Sequence, residues 1–216
     1  MSTLDLFDEQ LVSTLYFERQ ARDRGYRTTA GIDEAGRGPL AGPVVAAAVI
    51  LPDQFYLAGL DDSKKLSAKK RENLYPQICQ QAVSYGIGLA SADEIDRINI
   101  LQATLLAMQR AILRLSPSPD HLLIDGITPL PLDIPQQTLK KGDSRSLSIA
   151  AASVIAKVVR DRIMLSFDRQ LPVYGFSQHK GYGTLHHRQA ISQYGPSRQH
   201  RKTFAGVKEY LEPADD

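Results

Sequence analysis

Hydrophobic positions along the chain occur either in short continuous runs or at helical spacing, and the two patterns alternate. The continuous or alternating runs predict five strands, over residues 27–32, 44–51, 82–90, 121–124 and 136–140. Helical spacing predicts one helix ending at Gly25, on Leu4, Phe7, Leu11 and Leu15, and three more over residues 68–81, 95–115 and 146–170. Ser67 and the Ser91–Glu94 capping box mark two of the helix starts. The predicted fold class is α/β, a mixed five-stranded sheet flanked by helices.

Breaks in this pattern divide the chain into three predicted parts. Gly25 ends the first helix, and Leu171-Pro172 interrupts the last long one. We therefore expect an N-terminal helical extension over residues 1–26, a sheet-and-helix domain over 27–170, and a small helical C-terminal appendage over 171–216. A chain of 216 residues is long enough for one substantial core with such additions.

The stretch GIDEAGRGPLAGP, residues 31–43, concentrates reactive groups at the end of the first predicted strand. Asp33 and Glu34 supply adjacent carboxylates where the strand opens into a glycine-rich loop. Gly36 and Gly38 let main-chain N–H groups approach a ligand closely, and Arg37 offers a planar fork suited to phosphate. This combination indicates metal-assisted chemistry on a phosphodiester. A tight turn with incidental charge is the better explanation for Gly36 to Gly38 alone, but not for the whole stretch.

Two further acids lie where other predicted strands end. Asp125 closes the fourth strand, and Asp143 lies between the fifth strand and the long helix. Ligands of open α/β sheets collect at such an edge, so we expect both acids to lie near Asp33 and Glu34. Four converging carboxylates need a cation, and oxygen ligands favour two ions of Mg²⁺ or Mn²⁺. Taken singly, Asp125 is equally explained as a turn residue and Asp143 as a charge at a helix N-terminus.

Charge is distributed unevenly along the chain. The net charge of +2 gives the molecule as a whole no preference for a polyanion. Basic residues nevertheless gather in three clusters: Lys64, Lys65, Lys69, Lys70 and Arg71; Lys140, Lys141 and Arg145; Arg198, His200, Arg201 and Lys202. Such segregation fits a basic face for nucleic acid, although solvated lysines on a helix are the commoner cause of any one cluster.

Other features limit the cellular setting. Cys79 is the single cysteine, which excludes an intramolecular disulfide and a zinc site built on several thiolates, and we expect it to be a small buried apolar residue. The spacing of the histidines does not match a known zinc site. No apolar run approaches the ~20 residues of a membrane helix, and the N-terminus lacks the basic region of a signal peptide. We therefore expect a cytoplasmic protein.

Several motifs resemble those of one known family. The segment Ile32 to Val44 (IDEAGRGPLAGPV) is similar to the signature of bacterial ribonuclease HII. Matching segments follow in the same order: DSKKL at 62–66, IDG at 124–126, KGDS at 141–144, IAAASVIAKV at 149–158, and HKGYGT at 179–184 with His187 beyond it. The resemblance covers roughly residues 27 to 204.

The resemblance implies a ribonuclease H-like fold and an endonuclease that hydrolyses the RNA strand of RNA–DNA hybrids. It also implies cleavage 5′ to single ribonucleotides in duplex DNA, leaving 5′-phosphate ends, by a monomer active in ribonucleotide excision repair. By similarity, two divalent ions would be held by Asp33, Glu34, Asp125 and Asp143. The substrate would be bound by Gly36, Arg37, Gly38, Lys64, Lys65, Lys157 and Tyr182, with the glycine-rich loop and Tyr182 reading the 2′-OH and the following deoxyribose. The C-terminal appendage would also contact substrate.

Two other hypotheses remain open on the sequence alone. A non-catalytic nucleic-acid-binding module would use the basic clusters, but it leaves the four acids unexplained because carboxylates near phosphate weaken binding. A nucleotide-binding or phosphotransfer enzyme would use the glycine-rich loop, which fits neither the GxGxxG nor the Walker pattern.

Overall fold

A computed structural model describes residues 14–211, and at its centre is a five-stranded sheet. The strands are β1 (Thr29–Ala35), β2 (Val44–Ile50), β3 (Ser84–Ala90), β4 (His121–Asp125) and β5 (Gln136–Leu139). The helices are α1 (Tyr16–Asp23), α2 (Ala68–Gln81), α3 (Ala92–Ile112), α4 (Leu147–Gln170), α5 (Phe176–His179) and α6 (Leu185–Tyr194). The sheet order is β3-β2-β1-β4-β5, with β1, β2 and β3 antiparallel in sequence and β4 and β5 parallel to β1. The predicted mixed α/β sheet is confirmed.

Apolar layers cover both faces of the sheet, and β2 is therefore buried at every position. Ala46 and Ala48 of β2 belong to the cluster that packs against α3, whereas Ala47 and Val49 belong to the cluster formed with α2 and α4. Glycine allows the close approach of one helix, since a Cβ on Gly88 of β3 would lie 2.0 Å from the carbonyl oxygen of Ala107 in α3. The continuous apolar run of β2 is thus explained by a central strand that is covered on both sides.

Local signals placed two helices well. The Ser67 side chain accepts a hydrogen bond from the Lys70 N–H at the start of α2. Ser91 and Glu94 form both bonds of the predicted capping box at the start of α3. The prediction of one regular helix over 95–115 was wrong in detail: Asn99 has φ of 65°, and its side chain accepts bonds from the N–H groups of Leu101 and Gln102, so it restarts the helix.

The N-terminal region joins the rest of the fold through α1. The predicted positions Leu4, Phe7 and Leu11 lie outside the described residues, and α1 ends before Gly25, whose φ is +99°. The Glu18 carboxylate accepts hydrogen bonds from the Ser146 and Ser148 side chains, both at 2.6 Å.

The C-terminal region is helical in pieces, as predicted, and it packs against the loop between β1 and β2. Leu40 of that loop forms an apolar cluster with Ile191 and Val207. The division at residues 27 and 171 stays a prediction, although contacts of this kind cross both positions. Cys79 is only partly buried, contrary to expectation, and its thiol hydrogen-bonds to Tyr75 and Tyr85. Within residues 14–211, no helix has the length and apolar character needed to cross a membrane.

Candidate active site

Three acids from distant parts of the chain meet at one edge of the sheet. Asp33 lies on the central strand β1, and the parallel pairing of Ile32 with Ile124 brings the end of β4 and Asp125 alongside it. Asp143 lies in a short 3-10 turn, Gly142–Ser144, which follows β5. The Gly142 N–H donates to Asp125 Oδ1 at 2.7 Å and so holds this turn against the end of β4. One carboxylate oxygen from each acid lies within 4.8 Å of the others.

The electrostatics of this cluster favour a bound cation. Burial, followed by repulsion from Glu34 and Asp125, raises the pKa of Asp33 well above its ordinary value. Burial and then repulsion from Asp143 raise the pKa of Asp125. The donor atoms are carboxylate oxygens only, which suits a hard divalent ion, and such an ion would relieve the repulsion. The residues present therefore fit a divalent metal site.

Glu34 lies beside the cluster but is not among the three acids with ligand geometry. It forms an ion pair with Arg37, with Oε1 and Nη1 3.6 Å apart. Burial raises the pKa of Glu34, the Arg37 charge opposes that rise, and repulsion from Asp125 adds to it. The structure thus brings three of the four predicted acids together and places the fourth within electrostatic reach.

The glycine-rich loop and Tyr182 form an adjoining surface. Gly36 has φ of +97°, a conformation that favours glycine. A Cβ built on Gly38 would lie 3.9 Å from a ring carbon of Tyr182. Tyr182 is 47% exposed, and Arg37, the neighbour of Gly38 in the loop, is exposed as well. The predicted loop and tyrosine therefore lie together, open to a ligand.

Comparisons with known proteins agree with this geometry. The sequence model described as "Ribonuclease HII" matches residues 30–207. The chain belongs to the ribonuclease HII family. It is 66% identical over 208 residues to a ribonuclease HII of Syntrophotalea carbinolica, covering 96% of this chain and 100% of that protein. It is 54% identical to one of Bacillus velezensis, over 94% of this chain and 79% of that protein. The crystal structure of ribonuclease H2 from Pyrococcus horikoshii OT3 superposes with a TM-score of 0.72 at 25% identity, over 85% of this chain and 97% of that chain.

Membership of the ribonuclease HII family defines the general activity. The chain is a metal-binding hydrolase, an endonuclease of the ribonuclease H type, and its substrate is nucleic acid. The predicted family and the ribonuclease H-like fold are both confirmed.

The three predicted lysines have different surroundings. Lys64 Nζ lies 3.1 Å from Asp143 Oδ2; burial alone would lower the pKa of Lys64, but this bond and the nearby carboxylates raise it. Lys65 pairs with Asp61 at 3.2 Å, and Lys157 pairs with Asp161 at 2.7 Å. Lys64 is therefore the lysine that contacts the acidic cluster. The phosphate contacts of all three lysines stay predictions.

Asp62 is a member of the site that sequence reasoning missed. It is 9% exposed, and its carboxyl group hydrogen-bonds with that of Asp143; burial is the main reason that the pKa of Asp62 is raised. Asp62 Oδ1 also accepts from the Lys64 N–H at 2.8 Å. Asp62 is the acid that opens the DSKKL segment, from which only the two lysines were predicted as site residues.

Two buried arginines under the glycine-rich loop were also missed. Arg160 of α4 donates to the carbonyl oxygens of Pro43, Lys180 and Ala41, at 3.1, 3.0 and 3.2 Å. Arg201 donates to those of Gly36, Arg37 and Gly42, at 2.5, 2.7 and 2.9 Å. Both side chains are completely buried, and burial lowers the pKa of Arg201 to about 9, so it stays charged at neutral pH.

This burial corrects one prediction. The basic cluster at 198–202 was expected to be part of an exposed face for nucleic acid, but His200 is 1% and Arg201 0% exposed. Two members of that cluster therefore organise the loop from within and add nothing to a solvent-facing charge.

Proposed function

We propose that this protein hydrolyses the RNA strand of RNA–DNA hybrids and nicks 5′ to single ribonucleotides in duplex DNA, using two Mg²⁺ or Mn²⁺ ions and acting as a monomer. The observation that carries the proposal is the meeting of Asp33, Asp125 and Asp143 beside an exposed surface made of Gly38 and Tyr182. The acids would bind the catalytic metal ions, and the adjoining surface would bind the sugar of the substrate.

The acids would hold the ions, with Asp33, Asp125 and Asp143 as ligands and Glu34 completing the set. When bound, divalent cations activate water and neutralise the charge that develops on the leaving 3′-oxygen. Lys64 Nζ donates to Asp143 Oδ2 at 3.1 Å and so orients that carboxylate. No side chain has to act as a covalent nucleophile.

The loop would read the ribose through its main chain. The peptide unit is planar and trans, so its N–H points opposite to its C=O. The buried Arg201 guanidinium donates to the carbonyl oxygens of Gly36 and Arg37, so these carbonyl groups point toward the protein interior. The N–H groups of Arg37 and Gly38 therefore point away from Arg201, where a 2′-OH can meet them as an acceptor. Tyr182 would lie against the next sugar.

One experiment tests the catalytic part of this proposal. Asp125→Asn keeps the size of the side chain but removes its charge, and we expect it to abolish Mg²⁺- or Mn²⁺-dependent nicking of a duplex with one ribonucleotide while duplex binding persists. The control is Asp133→Asn, an exposed acid on the same β4–β5 connection. All-DNA and RNA–DNA hybrid duplexes, with and without EDTA, complete the assay. Normal nicking by Asp125→Asn, or nicking in EDTA, would contradict the metal site.

A further inference from the structure

Three histidines of the C-terminal region pack together, and the function proposed so far uses none of them. His179 ends α5, His187 lies in α6, and His200 lies in the segment that follows. The rings of His179 and His187 stack with centroids 4.3 Å apart, and Nε2 of His187 lies 3.0 Å from Nε2 of His200. His187 is 0% and His200 1% exposed. Within residues 14–211 the three acids form the one group with metal-ligand geometry, so these rings need another explanation.

The partners of His187 define where its proton lies. Its Nδ1 is 2.9 Å from the carbonyl oxygen of Tyr182. A carbonyl oxygen can only accept, so Nδ1 must carry the hydrogen. In a neutral ring the other nitrogen, Nε2, is then an acceptor, and it faces His200.

The partners of His200 define the opposite arrangement. Its Nδ1 lies 2.9 Å from the Ser197 main-chain nitrogen, which can only donate, so Nδ1 carries no hydrogen. The hydrogen of His200 is therefore on Nε2 and points at the free Nε2 of His187. Both rings are neutral, and each has one tautomer that satisfies every bond. We call the bonds from the Ser197 N–H through His200 and His187 to the Tyr182 carbonyl the histidine chain.

An added proton has no place in the histidine chain. Protonating Nε2 of His187 would set two N–H donors against each other across 3.0 Å. Burial, with a smaller contribution from the neighbouring histidines, lowers the pKa of both rings to about 4. All hydrogen bonds of the histidine chain are therefore formed only when both rings are neutral.

Both ends of the histidine chain are tied to the loop between β1 and β2. His200 pairs with Ala41 in an antiparallel bridge, and the Gly42 N–H donates to the Gln199 carbonyl at 2.8 Å. At the other end, the Leu40 N–H donates to the carbonyl of Gly181, the residue before Tyr182, at 2.8 Å. The histidine chain therefore completes a closed circuit of hydrogen bonds that includes both the β1–β2 loop and Tyr182.

We propose that His187 and His200 are positioning residues whose hydrogen-bonded pair holds Tyr182 against the Gly36–Gly38 surface and thereby sets recognition of a single ribonucleotide. The inference rests on the proposed contact of Tyr182 with substrate. His187 donates to the Tyr182 carbonyl, so the pair acts on Tyr182 through its main chain.

The tautomers are tested directly on the wild-type protein. Long-range ¹H–¹⁵N spectra of the labelled enzyme should show the hydrogen of His187 on Nδ1 and that of His200 on Nε2, with both rings neutral from about pH 5.5 to about pH 8. A cationic ring at neutral pH, or the opposite tautomer in either residue, would overturn the chain. This measurement needs no variant to fold.

The positioning role is tested by two substitutions of the same residue. His200→Gln places an amide N–H near the position of Nε2 and can still reach His187, whereas His200→Asn is too short to do so. A displacement of about 1 Å can cost about 100-fold in rate, and we expect His200→Asn to lower kcat/KM for single-ribonucleotide nicking at least tenfold, with His200→Gln restoring most of it. The control is His186→Asn, an exposed histidine outside the chain.

A double-mutant cycle separates positioning from general damage to the fold. If the histidine chain acts through Tyr182, His200→Asn should add less than about twofold to the loss already caused by Tyr182→Ala. Independent, multiplicative losses would overturn the inference. Should Tyr182→Ala alone leave nicking unchanged, the proposed substrate contact fails and this inference fails with it. Should Tyr182→Ala slow nicking while His200→Asn does not, only the inference fails.

Discussion

A carboxylate in the acidic cluster destabilises the metal-free protein but provides a ligand for a metal ion. Asp33 is 2% exposed, and its pKa is raised first by burial and then by its neighbours Glu34 and Asp125. A raised folded pKa means that the folded state binds protons more tightly than the unfolded state. Stability therefore falls as pH rises from the ordinary value of 3.8 through the raised value, unless a cation replaces the proton.

Asp33→Asn should consequently stabilise the metal-free protein. Asn keeps an oxygen to accept the Glu34 N–H, now at 2.7 Å from Oδ1, but it brings no charge. We expect a gain of about 1–3 kcal/mol in the free energy of unfolding in EDTA at about pH 7.5, shrinking as pH falls toward 4. Urea unfolding at both pH values measures it. Added Mn²⁺ should stabilise the wild type and not the variant; equal stability of the two proteins in EDTA would contradict the repulsion inferred here.

A glycine in the substrate loop offers a second test at this scale. A Cβ on Gly36 would lie 1.9 Å from Nε of the buried Arg160, and φ of +97° adds backbone strain. We expect Gly36→Ala to cost about 3 kcal/mol of stability and to abolish nicking, since the clash displaces the guanidinium that holds the loop. The control is Gly25→Ala, where φ is +99° but nothing lies within 4 Å of the new Cβ. A similar loss of stability in both variants would show that backbone strain alone, and not the clash with Arg160, causes the effect.

Between elements, the N-terminus of α4 is capped from across the chain. Glu18 of α1 accepts from the Ser148 N–H at 3.0 Å as well as from the hydroxyl groups of Ser146 and Ser148. A negative charge at this end of a long helix is favourable. Ser146, the N-cap residue of α4, lies three residues after Asp143, so α1 also supports the turn that carries a candidate metal ligand.

Glu18→Ala should loosen this end of α4. It leaves two buried hydroxyl groups and one N–H without their acceptor, and we expect a loss of about 2 kcal/mol in unfolding free energy. Hydrogen exchange should be faster at the first amides of α4, around Ser148 and Ile149. Arg19→Ala, at an exposed position of the same helix, serves as the control. Unchanged exchange at α4 in Glu18→Ala would show that the helix start does not depend on α1.

Elements with local signals were the predictable part of this fold. Ser67 and the Ser91–Glu94 box act within three residues of their partners, so the sequence contains the whole interaction. The bond between Glu18 and Ser148 spans 130 positions and has no such signature. Asn99 reads as an ordinary helical residue in the hydrophobic pattern, but it adopts φ of 65° and interrupts the helix.

At the scale of the whole molecule, the acids were predictable and the arginines were not. Strand ends meet at a sheet edge, so the order of elements was enough to bring Asp33, Asp125 and Asp143 together. Arginine is mostly exposed in proteins, and a buried one is expected to have an acidic partner. Arg160 and Arg201 instead donate to main-chain carbonyl oxygens of a loop, a set of partners that only the folded chain assembles. Their burial is a property of the tertiary structure.

The same contacts connect the C-terminal region to the glycine-rich loop. Arg201 reaches the carbonyl oxygens of the glycine-rich loop, and its main-chain N–H donates to the Leu40 carbonyl at 2.8 Å. Phe204 packs against the apolar cluster under α3 and also against Leu40. Removing this region would expose apolar surface and leave the loop carbonyls without donors, which is costly when the groups are buried.

A chain truncated after Gln170 should therefore fail as an enzyme even though every predicted strand remains. We expect it to lose the cooperative thermal transition of the full chain, or to melt well below it, and to nick neither hybrid nor single-ribonucleotide duplexes. Circular dichroism melting and the gel assay measure the two effects. The matched control ends at Leu211 and removes only residues 212–216; it should melt and nick like the full chain, because every contact described for Arg201, Phe204 and Val207 is kept. If the chain ending at Gln170 melted cooperatively at the full-length temperature, the C-terminal region would be a separable appendage, and its buried contacts with the loop would be dispensable for folding.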